Sequence, residues 1–139
     1  MFRYLEHTAD VLYEVEASSL EELFADAGKA LSNTMIELDS VKKTGEYEIK
    51  LENESIEGLL HDFLDNELIL IQTDLVAFND FKVSILEKNK KFFLQAKCFG
   101  EKIDKAKHEI KTDIKAVTWE YFKAWKEKNK WKCKVLLDV

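Results

Sequence analysis

Three titratable side chains fall within five residues near the start of the chain, in the stretch EHTAD from Glu6 to Asp10. The stretch comes directly before a strand-like run, VLYEVEA, that begins at Val11. At the other end of the sequence, Asp138 closes the strand-like run VLLD, and Val139 follows it with a terminal carboxylate. Two aspartates and a free carboxylate are hard oxygen ligands of the kind that Ca²⁺, Mg²⁺ or Mn²⁺ prefer. Spacing alone does not bring these groups together, and it favours Asp10 as a turn cap and Asp138 as a frayed strand end.

The other residue types suited to catalysis form no local motif. The sequence contains no phosphate-binding loop, zinc-ligand spacing, nucleophile elbow or dinucleotide-binding fingerprint. His7, His61 and His108 are too far apart for a local metal motif, and His61 lies in a helical pattern that predicts a surface or boundary position. Cys98 and Cys133 occupy apolar positions of strand-like runs. This predicts two small buried thiols in a reducing compartment, and nothing in the sequence supports a disulfide between them.

The composition is that of a globular protein and limits the number of domains. The chain has 139 residues, of which 46% are hydrophobic and 12% aromatic, enough to bury a core without disulfides or structural metals. Proline is absent and only four glycines occur, so we expect one uninterrupted domain over residues 1–139. No apolar run approaches the roughly 20 residues of a membrane span, and the N-terminus lacks the pattern of a signal peptide. We therefore expect a cytoplasmic protein without membrane contact.

The charge is unevenly distributed along the chain. The formal net charge is −6, but from Lys82 onward 16 lysines stand against 8 acidic residues, a balance of +8, so the first 81 residues carry −14. Such an asymmetry can mark a basic surface for a partner. Here the lysines alternate with apolar residues, as in KWKCKV from Lys130 to Val135, and Arg3 is the only arginine. Because proteins that read nucleic-acid sequence rely on arginine, we favour the interpretation that these lysines cover the solvent faces of strands.

Two segments have the apolar spacing of helices. Ser18 or Ser19 can cap the first helix, and the second begins at Ser55. Gly58 within the second helix indicates a close packing contact, because glycine in a helix costs about 1 kcal/mol relative to alanine. The apolar residues of the first helix are Leu20, Leu23, Phe24, Ala27, Leu31 and Met35, and those of the second are Ile56, Leu59, Leu60, Phe63, Leu64, Leu68 and Ile71.

Most of the remaining sequence alternates between apolar and polar residues, as strands do. The segment KAVTWEYFKAWKEKNKW is ambiguous, because the composition from Ala116 to Lys128 is also compatible with a helix. Its β-branched and aromatic residues keep a period of two, and EKNK from Glu127 to Lys130 resembles a turn, so we predict a hairpin. Together the elements predict an α+β fold in which two helices pack on one face of a largely antiparallel sheet.

Six segments of the sequence resemble the archease family, in the order in which that family has them. They are HTAD (7–10), SLEELFADAGKAL (19–31), EGLLHDFLDNEL (57–68), GEKIDKAKH (100–108), IKAVTWE (114–120) and VLLDV (135–139). Each segment alone is weak, but six in order along the whole chain are specific. The compact α+β fold of that family agrees with the elements predicted above.

The resemblance implies an accessory function without catalytic activity. Archeases assist the RtcB-type RNA ligase, which joins RNA ends carrying a 2′,3′-cyclic phosphate or 3′-phosphate to a 5′-hydroxyl, as in tRNA splicing. They promote guanylylation of the ligase's active-site histidine by GTP and permit multiple turnovers. The chain would then meet tRNA and GTP only through the ligase.

The resemblance also implies a divalent-metal site, which calcium occupies in crystals of the family and which Mg²⁺ or Mn²⁺ could occupy in function. Its ligands correspond to Asp10, Asp138 and the carboxylate of Val139. This reverses the preference for a turn cap and a frayed end that spacing alone gives. The native cation and the face that contacts the ligase are not implied.

Three further residues of the matching segments are weaker candidates. His7 lies in HTAD and could stand beside the metal ligands, whereas Glu101 and Lys115 could belong to the partner surface. One departure concerns the residue after Trp119, because archeases often have a histidine there and this chain has Glu120. If that histidine contacts the ligase or the metal, this chain must do so differently.

Two other classes of function are compatible with these residues. The first is a chaperone or specificity modulator of a tRNA-modifying enzyme such as a methyltransferase, with the basic C-terminal half as its contact surface. The second is a metal-dependent hydrolase, which we disfavour because the chain lacks a recognisable general base or nucleophile beyond the same carboxylates.

Overall fold

The computed structural model describes residues 1–6 and 9–139, which form two long helices and two antiparallel sheets. The strands of the first sheet are β1 (Phe2–Leu5), β2 (Val11–Ala17), β6 (Ala116–Val117), β7 (Lys123–Glu127) and β8 (Lys130–Asp138). In this sheet β2 and β8 lie side by side, β1 flanks β2, and both β6 and β7 pair with the other edge of β8. The strands of the second sheet are β3 (Gly45–Asn53), β4 (Val76–Lys88) and β5 (Lys91–Lys102), with β5 in the middle.

Both helices begin where the sequence predicts, each at a serine cap. Helix α1 spans Leu20–Met35, and the Ser19 hydroxyl accepts a hydrogen bond from the Glu22 backbone N–H at 3.1 Å. Helix α2 spans Ile56–Asp74, and the Gly58 backbone N–H donates to the Ser55 hydroxyl at 2.9 Å. These bonds satisfy backbone donors that the first turn of a helix leaves unpaired.

The close packing predicted at Gly58 is confirmed. A Cβ atom at this position would lie 2.5 Å from the side-chain oxygen of Asn53, at the end of β3. The same Asn53 oxygen accepts the backbone N–H of Ser55 at 3.0 Å. Glycine therefore lets the start of α2 lie directly against the strand that leads into it.

Each helix contacts both sheets, so the two sheets share one hydrophobic core. Helix α1 packs against β2 and β8 of the first sheet and against β4 of the second, whereas α2 packs against β3, β4 and β5 and against β6 and β7. Accordingly, buried residues occur on most sides of α1. The predicted α+β class, with two helices packed on antiparallel strands, is confirmed, and the strands divide between two sheets.

The hairpin predicted near the C-terminus is also confirmed. Strands β7 and β8 pair antiparallel, and the turn between them is centred on Lys128 and Asn129, with φ angles of 49° and 66°. Two positive φ angles characterise the tight turn whose twist matches that of the flanking strands. The short strand β6 precedes this hairpin and pairs with the far end of β8, so the ambiguous segment is not helical.

The two cysteines are free and buried in different sheets, as the sequence predicts for structural thiols. Burial raises the pKa of Cys98 and of Cys133 to about 12, so both remain protonated near neutral pH. Among the helices of the described residues, none combines the length and apolar character needed to cross a membrane.

Candidate functional site

Asp10 and Asp138 come together because β2 and β8 are neighbours. The register of the two strands pairs Val11 with Leu137. One further step along the antiparallel register brings Asp10 opposite Asp138. The register thus places the two aspartates at the same end of the sheet, a convergence that spacing along the sequence cannot show.

The two aspartates are in phase with the outer face of the first sheet, which is turned away from the helices. Along β2, Tyr13 and Val15 point into the core and are fully buried, and Asp10 stands in the opposite phase of the alternation. Along β8, Val135 and Leu137 are buried and Asp138 is again in the opposite phase. Directly opposed residues on one face have Cβ atoms about 4.5–5.5 Å apart, and both aspartates are half-buried.

Asp138 is held by main-chain hydrogen bonds and is not a frayed strand end. It pairs with Ala116 of β6, and the Lys115 backbone N–H donates to its carbonyl oxygen at 2.7 Å. The segment IKAVTWE therefore lies beside VLLDV, and the structure brings Lys115 next to Asp138. The Lys115 side chain itself is exposed.

The donor set at this sheet end fits a hard divalent cation, although it is sparse. Within residues 1–6 and 9–139, no group of three or more His, Cys, Asp or Glu side chains is arranged to hold a metal ion. Asp10 and Asp138 supply two carboxylates, and further oxygen ligands would have to come from the carboxylate of Val139, from water or from a partner. His7, which the sequence analysis singled out, lies outside the described residues.

Glu101 lies in the second sheet, and its contacts join three segments of the chain. One carboxylate oxygen accepts the Lys42 backbone N–H at 2.7 Å, and the other forms an ion pair with Lys107. The hydrogen bond from Lys107 is the main cause that lowers the pKa of the Glu101 carboxyl below its ordinary value. None of these contacts connects Glu101 with Asp10 or Asp138, and its predicted place on a partner surface stays a prediction.

His108 belongs to the same group of contacts and is enclosed by protein. The Asp104 backbone N–H donates to Nδ1 of His108 at 3.0 Å, so in the neutral ring Nε2 carries the proton. This Nε2 lies 2.9 Å from a carboxylate oxygen of Glu101, and the imidazole side chain is completely buried. The arrangement anchors the segment after β5, which explains a histidine that the sequence left without a role.

His61 is buried, so the prediction of a surface or boundary histidine is wrong. Its side chain packs under the segment between β6 and β7, with Nε2 3.0 Å from the Val117 carbonyl oxygen, and the residue is 8% exposed. The imidazole stacks on the Trp119 ring with centroids 3.9 Å apart, and Phe122 meets both rings edge-on. Helical periodicity could not reveal this cover, because the covering residues lie more than 50 positions away in sequence.

Glu67 is a fully buried carboxyl group that the sequence analysis missed. The Ser32 hydroxyl donates to one of its oxygens at 2.7 Å, and the other oxygen has no hydrogen-bond partner among the described residues. Burial raises the pKa of Glu67 well above its ordinary value. Its burial could have been predicted from the sequence. Glu67 lies four residues after Phe63 and seven after Leu60, and this spacing places it within the apolar stripe of α2.

Comparison with known proteins gives a match along the whole chain. The model of the Archease protein family (MTH1598/TM1083) matches residues 2–139. The protein archease of Pyrococcus furiosus is 34% identical over 139 residues, covering 99% of this chain and 98% of the relative. The protein archease of Methanosarcina barkeri is 33% identical, with 99% and 95% covered.

Two solved structures have the same fold. The solution structure of Methanobacterium thermoautotrophicum protein 1598 superimposes with a TM-score of 0.90 at 31% identity, covering 99% of this chain and 98% of that one. The crystal structure of a Thermotoga maritima archease, described as a possible chaperone, gives a TM-score of 0.61 at 24% identity, with 97% and 94% covered. At that identity the second likeness bears on the fold alone.

Proposed function

Because the chain belongs to the archease family, we propose that it is an accessory protein of an RtcB-type RNA ligase and has no catalytic activity of its own. It promotes guanylylation of the ligase's histidine by GTP and allows repeated turnover during tRNA splicing and RNA repair. It acts in the cytoplasm and meets tRNA and GTP through the ligase. The match over residues 2–139 is the observation that carries this proposal.

In this proposal, Asp10 and Asp138 are the residues through which the protein stimulates the ligase. Their opposition across β2 and β8 supports a shared role. The carboxylate of Val139 would add a third oxygen donor of the kind that Ca²⁺, Mg²⁺ or Mn²⁺ prefers, with water or a partner supplying the rest. A divalent cation bound there would supply positive charge that stabilises phosphate groups during nucleotidyl transfer. The chain's own part is to hold the two carboxylates side by side on a central pair of strands, with Asp138 fixed by the bond from the Lys115 backbone.

The test combines a ligation assay with a guanylylation assay. The ligase, GTP and a 3′-phosphate RNA are incubated with and without the protein, and transfer of labelled GMP to the ligase is measured in parallel. We expect wild type to accelerate both reactions. Asp10→Asn and Asp138→Asn should each reduce the stimulation at least about tenfold, because amides retain the shape of the carboxylates but lose their charge.

Glu16→Gln is the matched control, since Glu16 lies on the same face of β2, six residues from Asp10. It should stimulate as wild type does, and all three variants should unfold at the wild-type temperature. Titration of Mn²⁺ by calorimetry provides a readout that does not depend on the ligase, and both aspartate variants should bind it more weakly. Full stimulation by Asp10→Asn and Asp138→Asn would show that the pair has no part in the function.

A second candidate is a chaperone or specificity modulator of a tRNA-modifying enzyme. The lysine-rich half of the chain, from Lys82 onward, would be its contact surface. Affinity capture from extract of the source cells separates the two candidates. Recovery of an RNA ligase supports the first, whereas recovery of a tRNA methyltransferase without the ligase supports the second.

A further inference from the structure

Two large aromatic side chains are exposed within three residues, between β6 and β7. Trp119 is 60% exposed and Tyr121 is 58% exposed, with Glu120 exposed between them. We refer to residues 119–121 as the aromatic turn. Solvent exposure of two such rings leaves unfavourable apolar area in water, and tryptophan and tyrosine are enriched among the residues that dominate protein–protein binding energy.

The Trp119 ring is held in one orientation by the protein beneath it. His61 stacks against one of its faces at 3.9 Å, with only 5° between the ring planes. Phe122 packs edge-on at 5.4 Å, and its backbone N–H donates to the Trp119 carbonyl oxygen at 3.1 Å. A ring that is already ordered loses little side-chain entropy on binding, which is the property expected of an anchor residue.

The backbone of the aromatic turn is strained. Tyr121 has a φ angle of 59°, in the left-handed region, although it is neither glycine nor asparagine. Residues held in this region cost about 1–3 kcal/mol and cluster at functional positions. A glycine or asparagine would form the turn with less strain than the tyrosine does.

Three acidic residues lie on the turn and on the helix face beneath it, and Lys123 lies two residues beyond the turn. Glu57 and Asp65 lie four residues before and after His61, on the face of α2 that bears the stacked rings, and Glu120 belongs to the turn itself. Glu57 also accepts the Ala124 backbone N–H at 2.9 Å, which fixes its carboxylate beside β7. These carboxylates repel a phosphate backbone, so an RNA base is disfavoured as the group that stacks on Trp119.

We propose that the aromatic turn is the anchor by which this protein docks into an apolar socket rimmed by lysine or arginine on a partner protein. The inference rests on the proposed function, under which the socket belongs to the RNA ligase. Ala116 pairs with Asp138, and Trp119 follows only three residues, or about 10 Å, further along the chain. Docking at the turn therefore brings the Asp10–Asp138 end of the sheet close to the partner.

The experiment measures the affinity of the full-length protein for the ligase by calorimetry, with stimulation of guanylylation recorded for the same samples. Trp119→Ala should weaken binding by about 30-fold, the loss typical of an anchor residue. Glu120→Lys leaves the ring packing intact and should weaken binding at low salt, with a smaller effect at high salt because the charges are then screened. Leu86→Ala is the matched control, since Leu86 is 63% exposed on β4 of the other sheet, and it should bind as wild type does.

Each outcome bears on a separate claim. If wild type binds and stimulates but Trp119→Ala and Glu120→Lys bind equally well, the docking proposal is wrong and the proposed function stands. If wild type neither binds nor stimulates the ligase, the proposed function fails, and the docking proposal fails with it. If Trp119→Ala lowers retention of free tRNA but leaves ligase affinity unchanged, the ring stacks on RNA and the docking proposal is overturned. Thermal unfolding of every variant confirms that a loss of binding is not a loss of fold.

Discussion

At the scale of single residues, Glu67 connects the two helices through a buried carboxyl group, although burial disfavours the charged form of such a group. Its carboxyl group is completely buried between α1 and α2, and Ser32 is its hydrogen-bond donor. Gly28 lies beside it, because a Cβ atom there would be 3.1 Å from a Glu67 oxygen. The low dielectric of this site favours the neutral acid over the carboxylate.

This raised pKa makes stability depend on pH. In the unfolded chain Glu67 ionises near its ordinary pKa, whereas in the folded protein burial keeps it protonated to higher pH. Its contribution to stability is therefore fully present below the ordinary pKa and is lost as the pH rises toward the folded pKa. The loss amounts to about 1.4 kcal/mol for each pH unit between the two values.

We predict that Glu67→Gln removes this loss, because the amide stays neutral at every pH. The free energy of unfolding, measured in urea at pH 5, 6, 7 and 8, should favour the variant over wild type by an amount that grows with pH. Glu52→Gln changes an exposed glutamate of β3 and serves as the control. A difference between Glu67→Gln and wild type that is the same at every pH would contradict the prediction.

Some residues of the candidate site can be predicted from the sequence and others cannot. The aspartates stand out in the sequence as polar groups at strand ends, and the family resemblance links them, but only the β2–β8 register shows that they are opposite each other. The aromatic turn could not be predicted, because alternation does not reveal that Trp119 leaves β6 and folds over His61. Burial of His61 depends on that distant segment and not on its own helix.

At the scale of elements, short sequence signals predict those helices and turns that depend only on residues close together in the chain. The serine caps and the apolar spacing place both helices, and the turn residues place the last hairpin. The division of the strands into two sheets was not predictable, since it depends on pairing between segments far apart in sequence. The pairing of β3 with β5, for example, joins residues 45–53 to residues 92–100 across the whole of α2.

At Gly100, strands β4 and β5 leave no room for a side chain. It pairs with Phe78 at the point where the register of β4 shifts by one residue, between Phe78 and Asp80. A Cβ atom at Gly100 would lie 1.8 Å from the carbonyl oxygen of Ala77. Because that neighbour is backbone, it cannot move aside as the end of a side chain can.

We predict that Gly100→Ala destabilises the protein by at least about 3 kcal/mol, since the strand pair must separate to admit the methyl group. Gly45→Ala is a close control, because Gly45 lies directly opposite in β3 and its Cβ would meet only the Gly100 carbonyl oxygen, at 3.4 Å. Urea unfolding followed by tryptophan fluorescence measures both. Equal stability of the two variants would mean that β4 and β5 are not packed as described.

At the scale of the whole molecule, the charges that are separated along the sequence are interleaved in space. Glu14 of β2 pairs with Lys134 of β8, and Glu16 pairs with Lys132. The lysines of KWKCKV thus occupy the outer face of the first sheet, opposite acidic partners, while Cys133 between them points into the core. Folding therefore places these lysines of the basic half beside acidic residues, as expected if they cover the solvent face of a strand.

The net charge of −6 and the interleaved charges of the first sheet predict that the protein does not bind tRNA by itself. Phosphate contacts supply most of the affinity of non-specific nucleic-acid binding, with dissociation constants of about 10⁻⁴–10⁻⁶ M for basic surfaces. A net charge of −6 and the glutamates opposite Lys132 and Lys134 oppose such contacts. At physiological salt, fluorescence anisotropy of labelled tRNA should stay flat up to about 100 μM protein, the upper end of that range of dissociation constants. The double variant Lys132→Glu, Lys134→Glu should stimulate the ligase as wild type does. These two lysines would contact RNA only if the basic half of the chain were an RNA-binding surface. Saturable tRNA binding that weakens steeply with salt, and that this double variant abolishes, would instead favour the modulator of a tRNA-modifying enzyme over the ligase accessory protein.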